Sequence, residues 1–333
     1  MSAAPPVLAL PGVTAELASR LEDGLGRVDD LIRRTVDHDD PLIAEASGHL
    51  SGAGGKRFRP LLTLLAAELG TGINDDVVAA AAGVELTHLA SLYHDDVMDG
   101  ADARRGVQSA NARYGNSTAI LIGDLLFGKA SELISGLGAE AVLIQAQTFV
   151  RLCAGQIRDD RPCPAGVDPV EHYLGVLADK TGALIATAAR YGAMFSGGTP
   201  EQVEVLRAYG ERLGIAFQLA DDLIDISSEA LESGKTPGTD LREGVETLAV
   251  LHAKASTGPA DARLRDLLAQ DLHEDSLHAE ALGLLRSNAA MQQALAETQA
   301  VGREAVELLA PLPPGDARAA LEALVTSVID RVG

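Results

Sequence analysis

Three aspartates, Asp95, Asp96 and Asp99, form a DDxxD run at the end of an apolar-periodic segment, Asp75 to Asp99. Residues four apart share one face of a helix, so the Asp95 and Asp99 side chains point the same way, with Asp96 one step round. Like charges at this spacing repel by roughly a few tenths of a kcal/mol, so a compensating cation is expected. Carboxylates with no Cys or paired His nearby favour Mg²⁺, which usually keeps several water ligands and takes substrate phosphates as further ligands.

The same spacing recurs at Asp221, Asp222 and Asp225, again at the end of an apolar segment, Leu206 to Ile226. One such run in an acidic protein is more often a solvated helix end. Two copies, each closing a segment that is otherwise fit for a core, favour metal binding over simple solvation.

A glycine-rich basic run, SGAGGKRFRP at residues 51–60, brings Lys56, Arg57 and Arg59 together. Glycines let backbone N–H groups approach an anion closely, and nearby cations would complement that anion. Alone, such a run is more often a flexible basic loop. It lacks the GxxxxGK[ST] pattern, so a nucleotide hydrolase is not indicated.

Further polar residues occur within or beside the apolar helical patterns. His88 lies seven residues before Asp95, on nearly the same face, where it could contact a phosphate, although a lone helical His is more often structural. Lys180 and Thr181 interrupt another apolar pattern. A buried Lys is rare without a partner, which favours a functional role, whereas the alternative is a lysine that reaches solvent along its stem.

Composition limits the class of protein. The chain has 333 residues, 47% hydrophobic and only 3% aromatic, which favours aliphatic helix packing. A net charge of −21 argues against nucleic acid as a partner. Cys153 and Cys163 match no metal or redox spacing and indicate a reducing compartment. We see neither a signal peptide nor an uncharged apolar run of about 18 residues, so we expect a cytoplasmic protein without a membrane span.

The elements that carry these residues are predicted to be helices throughout, and no alternating strand is evident. The run Gly100–Val107, with Arg104 and Arg105, is expected to be a loop. Helices are predicted over Val13–His38, Pro41–Leu50, Pro60–Leu69, Asp75–Asp99, Ser117–Gly136, Ala141–Asp159, Val170–Phe195 and Thr199–Ser228, with further helices over Val245–Gly333 separated by turns at Thr257–Asp261 and Pro311–Asp316.

Taken together, the motifs resemble those of the trans-prenyltransferases, the head-to-tail isoprenyl (polyprenyl) diphosphate synthases. They occur in that family's order: GGKRFRP at 54–60, HDDVMD with RRG at 94–106, GQ at 155–156, KT at 180–181, FQ..DD..D at 217–225 and GK..G.D at 234–240. The resemblance is compatible with one synthase domain over residues 1–333, of which 1–12 would be a flexible leader.

The resemblance implies an all-α bundle of long antiparallel helices around a central cavity, usually in a homodimer. In this family two aspartate motifs face each other and hold three Mg²⁺ ions, for which Mn²⁺ can substitute, on an allylic diphosphate. Ionisation gives an allylic cation that isopentenyl diphosphate attacks, and proton loss leaves an allylic diphosphate one five-carbon unit longer. Metal ions would stabilise the leaving diphosphate, and a dry cavity would protect the cation.

Carried over position by position, the resemblance gives each candidate residue a role. Asp95 and Asp99 would hold two metal ions, with Asp96 in support. Asp221 would hold the third ion, which Asp222 and Asp225 would bind directly or through water. Isopentenyl diphosphate would bind Lys56, Arg57, His88 and Arg105. The allylic substrate would contact Arg104, Lys180, Lys235 and Gln218, and Thr181 would orient or stabilise the cation.

Product length follows from the positions four and five before the first aspartate, which cap the tunnel in this family when they are bulky. Here they are Ser91 and Ala90, and with Thr87 and Gly83 the floor is expected to be open for several turns. We therefore expect a long product of six or more isoprene units. Phe149, which shares a face with Gln156, is the candidate for a deeper floor.

Two departures from the family pattern concern closure over the substrates. Gly244 is followed by Val245 where many members have a Lys, and only Arg331 supplies a cation near the C-terminus. The alternatives are a short-chain farnesyl or geranylgeranyl diphosphate synthase, a terpene cyclase, a non-catalytic partner subunit and a purely structural helical protein. A cyclase needs no second diphosphate pocket, and partner subunits tend to lose their aspartates.

Overall fold

The computed structural model describes residues 13–228 and 237–332, and its regular secondary structure within these ranges is helical apart from one two-stranded hairpin. The all-α fold class is thereby confirmed. The helices are α1 Ala15–Val36, α2 Pro41–Gly52, α3 Phe58–Ala67, α4 Asp75–Met98, α5 Ala110–Tyr114, α6 Asn116–Ser135, α7 Ala139–Asp159, α8 Pro169–Leu177, α9 Ala183–Phe195 and α10 Pro200–Ser227. They continue with α11 Thr239–Arg242, α12 Leu248–Ala255, α13 Ala262–Leu268, α14 Asp275–Arg286, α15 Ala289–Leu308 and α16 Asp316–Ile329.

Side-chain caps explain why several helices begin where they do. Thr14 accepts a hydrogen bond from the Leu17 N–H, Asp40 caps α2 ahead of Pro41, and Asn74 accepts from the Val77 N–H at the start of α4. Such caps typically contribute about 1 kcal/mol each. The start of α4, the helix that ends in the first aspartate run, is therefore set by local sequence.

The chain folds into two compact units, each built from segments that are separated in sequence. The first unit comprises Met1–Val150, Leu184–Gly210 and Leu309–Ala323. In it α4 packs on α1, α3 and α6. Tyr93 on α4 is fully buried, accepts a hydrogen bond from the Leu50 N–H and donates one to the Ala46 carbonyl, so it ties α2 to α4.

The second unit comprises Arg151–Ala183, Glu211–Leu308 and Leu324–Gly333. Leu219, Leu223 and Ile226 on α10 belong to its apolar core together with Tyr173 and Leu177 of α8. Their spacing of three to four residues on α10 is that of a buried helical stripe. The same stripe places the second aspartate run on the neighbouring faces of α10.

A short hairpin is present where a loop was expected over Gly100–Val107. Strands β1, Ala103–Arg104, and β2, Val107–Gln108, pair antiparallel around Arg105 and Gly106. Arg105 and Gly106 both have positive φ, 55° and 77°, as a two-residue turn that matches the strand twist requires. Strands of two residues are too short for alternation to reveal them in the sequence.

The predicted helix Val170–Phe195 is interrupted by a π-helical turn, Ala178–Gly182, between α8 and α9. Lys180 and Thr181 lie in this turn. Such turns widen the helix by one residue and often occur at functional sites. In the C-terminal region the turns near 257–261 and 311–316 are present, and further breaks between α13, α14 and α15 were not expected.

Candidate active site

The first aspartate run separates into exposed and buried carboxylates. Asp96 is fully buried and accepts hydrogen bonds from Arg104 Nε at 2.6 Å and from the Ala110 N–H at 3.3 Å. The Asp99 side chain is 60% exposed and lies 3.8 Å from Arg104 Nη2, and Asp95 is partly exposed. Asp95 and Asp99 are therefore accessible to a metal ion, whereas Asp96 holds Arg104 and the start of α5 against α4.

The glycine-rich run contacts Arg105 through its carbonyls. Arg105 Nη1 donates to the carbonyls of Gly54 at 2.6 Å and Leu50 at 3.2 Å. A Cβ atom on Gly55 would lie 2.9 Å from Arg105 Cζ, so only glycine allows this approach. Sequence reasoning expected backbone N–H groups turned to an anion, but in this state the run positions a guanidinium instead.

His88 lies among arginines contributed by α3, the preceding loop and the hairpin. Desolvation lowers the pKa of His88 well below the usual 6.5, and the charges of Arg59, Arg105, Arg104 and Arg57 lower it further. The ring is therefore neutral at physiological pH. A neutral imidazole among guanidinium groups can accept a proton when a diphosphate approaches.

Arg57 and Arg59 differ in the partners they have. Every guanidinium nitrogen of Arg57 is engaged: Nε with Asp29 at 2.8 Å, Nη1 with Glu85 at 3.0 Å and Nη2 with the Ser51 carbonyl at 3.0 Å. Arg59 Nε is buried and has no hydrogen-bond partner in the described parts of the chain. Burial lowers the pKa of Arg59 to about 10. Unpaired buried donors are costly, so Arg59 is better suited than Arg57 to bind an anion.

Arg59 is the cation of the glycine-rich run to which the resemblance gives no role. It directly precedes Pro60, where the sequence predicts that a helix begins. The structure begins α3 at Phe58, so Arg59 lies in that first turn. Helix N-termini favour anions because their first N–H groups lack intrahelical partners. Lys56, by contrast, is exposed in the run before α3.

The second aspartate run repeats the separation into exposed and buried side chains. Asp222 is buried and accepts hydrogen bonds from the Tyr173 hydroxyl and from Gln218 Nε2 at 2.9 Å. Burial raises the pKa of Asp222 to about 6, although these two hydrogen bonds oppose the rise. Asp225 accepts from the N–H groups of Thr239 at 3.2 Å and Asp240 at 3.1 Å, and so caps α11.

Asp221, like Asp225, is a partly exposed member of the second run. Its side chain is 38% exposed, and Oδ1 lies 3.1 Å from Arg331 Nη1. The Arg331 guanidinium also lies over the Phe217 ring, 5.8 Å from the centroid. The C-terminal segment therefore reaches the second aspartate run through Arg331.

The π-helical turn connects to the second aspartate run through Gln218. Thr181 Oγ1 donates to Gln218 Oε1 at 3.2 Å, while the amide nitrogen of Gln218 donates to Asp222. Lys180 is 37% exposed and pairs with Asp159 at 2.6 Å, so it is a partnered, half-exposed lysine rather than a buried one. A Cβ atom on Gly155 would lie 2.6 Å from the backbone nitrogen of Lys180, so the close approach of the two backbones explains the glycine in the GQ pair.

The residues assigned to chain length are packed more tightly than expected. Thr87 is buried, donates to the Gly83 carbonyl at 2.9 Å and accepts from Gln145 Nε2 at 2.5 Å. A Cβ atom on Gly83 would lie 2.7 Å from Ile134 Cδ1. Ile134 of α6 therefore fills the space beside Gly83, and the open floor near Ala90 and Ser91 stays a prediction.

Nearer to the first aspartates the side chains remain small. Ala90 is buried, and Ser91 is partly exposed with its hydroxyl donating to the His88 carbonyl at 2.9 Å. Phe149 stacks on Phe127 of α6 with ring centroids 3.8 Å apart. Lys235, the remaining site prediction, lies outside the described residues, as does the leader 1–12.

Comparison with known proteins identifies the family. The family model described as Polyprenyl synthetase matches residues 40–285, which is more than half of the chain. The chain belongs to the polyprenyl synthetase family. A nonaprenyl diphosphate synthase of Mycobacterium tuberculosis is 48% identical over 96% of each chain. The predicted resemblance is confirmed.

Solved structures of synthases share the fold over almost the whole chain. A geranylgeranyl pyrophosphate synthase of Corynebacterium glutamicum, complexed with calcium and isoprenyl diphosphate, has a TM-score of 0.87 and 43% identity, covering 96% of this chain and 98% of that one. A decaprenyl diphosphate synthase of Rhodobacter capsulatus has a TM-score of 0.87 and 33% identity, covering 96% and 99%.

The carboxylates of this polyprenyl synthetase fit Mg²⁺, on which the family depends. Within residues 13–228 and 237–332, no group of three or more His, Cys, Asp or Glu side chains is arranged to hold a metal ion. Mg²⁺ is usually bound by one or two carboxylates, waters and substrate phosphates rather than by an all-protein cage. Asp95 and Asp99, on one helix face, and Asp221 meet this requirement. None of the described helices is both long enough and apolar enough to cross a membrane.

Proposed function

We propose that this trans-prenyltransferase condenses isopentenyl diphosphate with an allylic diphosphate and gives an all-trans polyprenyl diphosphate of six or more isoprene units. The observation that carries the proposal is the pairing, in the first unit, of two chemically different anion sites. Asp95 and Asp99 offer carboxylates for a metal-bound diphosphate. Arg59, Arg105 and His88 offer a metal-free site for a second diphosphate.

We propose the following roles for the aspartates. Asp95 and Asp99 bind metal ions directly, and Asp221 binds a third ion. Asp96, Asp222 and Asp225 act in support: their hydrogen bonds to Arg104, Gln218 and the α11 backbone hold these groups in place. When bound, Mg²⁺ neutralises charge that develops on the departing diphosphate.

The reaction follows from what the side chains can do. Arg104, fixed by Asp96, donates to the allylic diphosphate as its C–O bond breaks and the bonding electrons leave with the diphosphate. The double bond of isopentenyl diphosphate, held by Lys56, Arg59, Arg105 and His88, attacks the resulting cation. The released diphosphate then takes a proton from the condensed chain, and the electrons of that C–H bond restore the allylic double bond.

The π-helical turn of the second unit carries two polar residues, Lys180 and Thr181. We propose that the Thr181 hydroxyl, oriented by Gln218, faces the allylic cation and stabilises it, while Lys180 exchanges Asp159 for the diphosphate. Preorganised dipoles of this kind act where charge develops and need no reorganisation during the reaction.

The long product is supported by the nonaprenyl and decaprenyl synthases that the chain resembles and by the small side chains at Ala90 and Ser91. A geranylgeranyl product has support of its own, because a geranylgeranyl pyrophosphate synthase is 43% identical. Incubation of the purified protein with Mg²⁺, isopentenyl diphosphate and farnesyl diphosphate, followed by mass spectrometry, distinguishes the two. Products of six or more units support the proposal, and a stop at four units overturns the chain-length assignment alone.

We also propose a homodimer. Leu121 on α6 and Leu143 and Val150 on α7 are 65%, 57% and 67% exposed. Large exposed apolar side chains on adjacent helices are typical of a protein interface. Light scattering after gel filtration should give twice the chain mass, whereas a monomer would contradict this assignment. We further propose that the enzyme acts in the cytoplasm and that Mn²⁺ can replace Mg²⁺.

A further inference from the structure

Glu85 is a buried carboxylate to which the reaction assigns no role. It lies on α4, ten residues before Asp95, and is only 2% exposed. At 1.5 Å per residue this places its backbone about 15 Å along the helix from the metal-binding end. A buried carboxylate is costly unless it is paired and hydrogen-bonded. Its partners therefore indicate why it is there.

Those partners are arginines of the metal-free anion site. Glu85 Oε1 lies 3.0 Å from Arg57 Nη1 and 3.7 Å from Arg105 Nη2. Its charge also favours the protonated form of Arg59, whose pKa burial lowers to about 10, and of Arg105. One carboxylate thus offsets part of the mutual repulsion of three guanidinium groups.

We propose that Glu85, together with Arg57, is the positioning element of the isopentenyl diphosphate site: it holds Arg105 in place and leaves Arg59 to bind the diphosphate. The inference rests on the proposed function and reassigns Arg57 from ligand to support. Each guanidinium nitrogen of Arg57 already has a partner, in Asp29, Glu85 and Ser51, so protein contacts fix the orientation of this group before substrate binds.

The geometry around Arg105 favours positioning over simple neutralisation. Arg105 has a positive φ of 55°, its Nη1 is held by two carbonyls, and its Nη2 faces Glu85. The guanidinium is thereby restrained before substrate arrives. Restraint of this kind reduces the ordering cost of binding. With two acids, Glu85 and Asp29, against the three arginines, the cluster also keeps a net positive charge for the incoming anion.

The test is Glu85→Gln, which preserves side-chain shape and one acceptor but removes the charge. Arg105 Nη2 then loses its charged partner, while its Nη1 keeps the two carbonyls. We expect the KM for isopentenyl diphosphate to rise about tenfold, a loss at the lower end of the range for contacts with charged groups. The KM for farnesyl diphosphate should stay within about twofold. Calorimetric titration of the metal-free enzyme with isopentenyl diphosphate should show the same loss of affinity.

Glu68→Gln is the matched control. Glu68 is also a buried carboxylate of the first unit, and it pairs with Arg20 at 2.8 Å, outside the arginine cluster. Its substitution should lower thermal stability without changing the KM for isopentenyl diphosphate. The double variant Arg57→Gln/Glu85→Gln should lose less affinity than the two single losses combined, because the two residues act as a pair.

An unchanged KM for isopentenyl diphosphate in folded Glu85→Gln enzyme would overturn the positioning role. Equal rises in both substrate KM values would also overturn it, because they would indicate a general structural defect. If the wild-type enzyme itself makes no product, the proposed function fails instead. Calorimetry then still decides whether Glu85 supports binding of the diphosphate.

Discussion

The contrast between Asp96 and Asp99 can be tested by replacing each with Asn. Both belong to the DDxxD run, but Asp96 is fully buried in a 2.6 Å pair with Arg104 and the Asp99 side chain is 60% exposed. Asp96→Asn keeps one oxygen for Arg104 or the Ala110 N–H and loses the charge. Replacing a charge-assisted bond by a neutral one costs about 1–2 kcal/mol here, since Arg104 remains partly solvated.

Asp99→Asn should behave in the opposite way. Its contact with Arg104 is 3.8 Å long and exposed, so its stability contribution is expected to lie below about 0.5 kcal/mol. Loss of a metal-binding carboxylate should instead lower kcat about 100-fold or more and raise the Mg²⁺ concentration at half-maximal activity.

Urea denaturation measures the stability difference, and Mg²⁺ titration of the initial rate measures the metal dependence. The expected result is a lower free energy of unfolding with near-normal Mg²⁺ dependence for Asp96→Asn and the reverse for Asp99→Asn. If Asp96→Asn leaves stability unchanged and weakens Mg²⁺ dependence as much as Asp99→Asn does, Asp96 is a metal ligand and the division between the two aspartates is refuted.

Three further predictions follow from single positions. Ala90→Phe adds a ring beside the small Ser91 and should shorten the product, as sized by mass spectrometry; an unchanged product length would remove the steric argument. Because the pKa of His88 is lowered in the folded state, the unfolded chain takes up the proton first, so wild-type stability should fall relative to His88→Asn as the pH drops below 6.5. A difference in free energy of unfolding between the two proteins, measured with urea, that stays constant from about pH 7 to pH 5 would contradict this. Arg331→Gln removes the cation that pairs with Asp221, so the Mg²⁺ concentration at half-maximal activity should fall a few-fold; a rise would show that Arg331 assists metal binding.

Local sequence was sufficient to predict the helices that carry the two aspartate runs. The apolar periodicity of α4 and α10, the caps at Asn74 and Asp40, and the shared face of Asp95 and Asp99 depend on residues within a few positions of one another. Helical geometry converts such short separations directly into spatial neighbours. The order of the motifs along the chain predicted the family, and the comparisons confirm that prediction.

Tertiary packing decided which of these residues are accessible. Asp96 and Asp95 are adjacent and chemically identical, yet a hairpin whose Arg105 and Gly106 have positive φ brings Arg104 onto Asp96. Arg57 and Arg59 differ because Glu85, which lies on another helix, accepts a hydrogen bond from Arg57, whereas Arg59 Nε has no partner in the described parts of the chain. The space beside Gly83 is filled by Ile134 of another helix. Each outcome depends on a partner from outside the helix concerned, and periodicity predicts which face of a helix is buried but not what covers it.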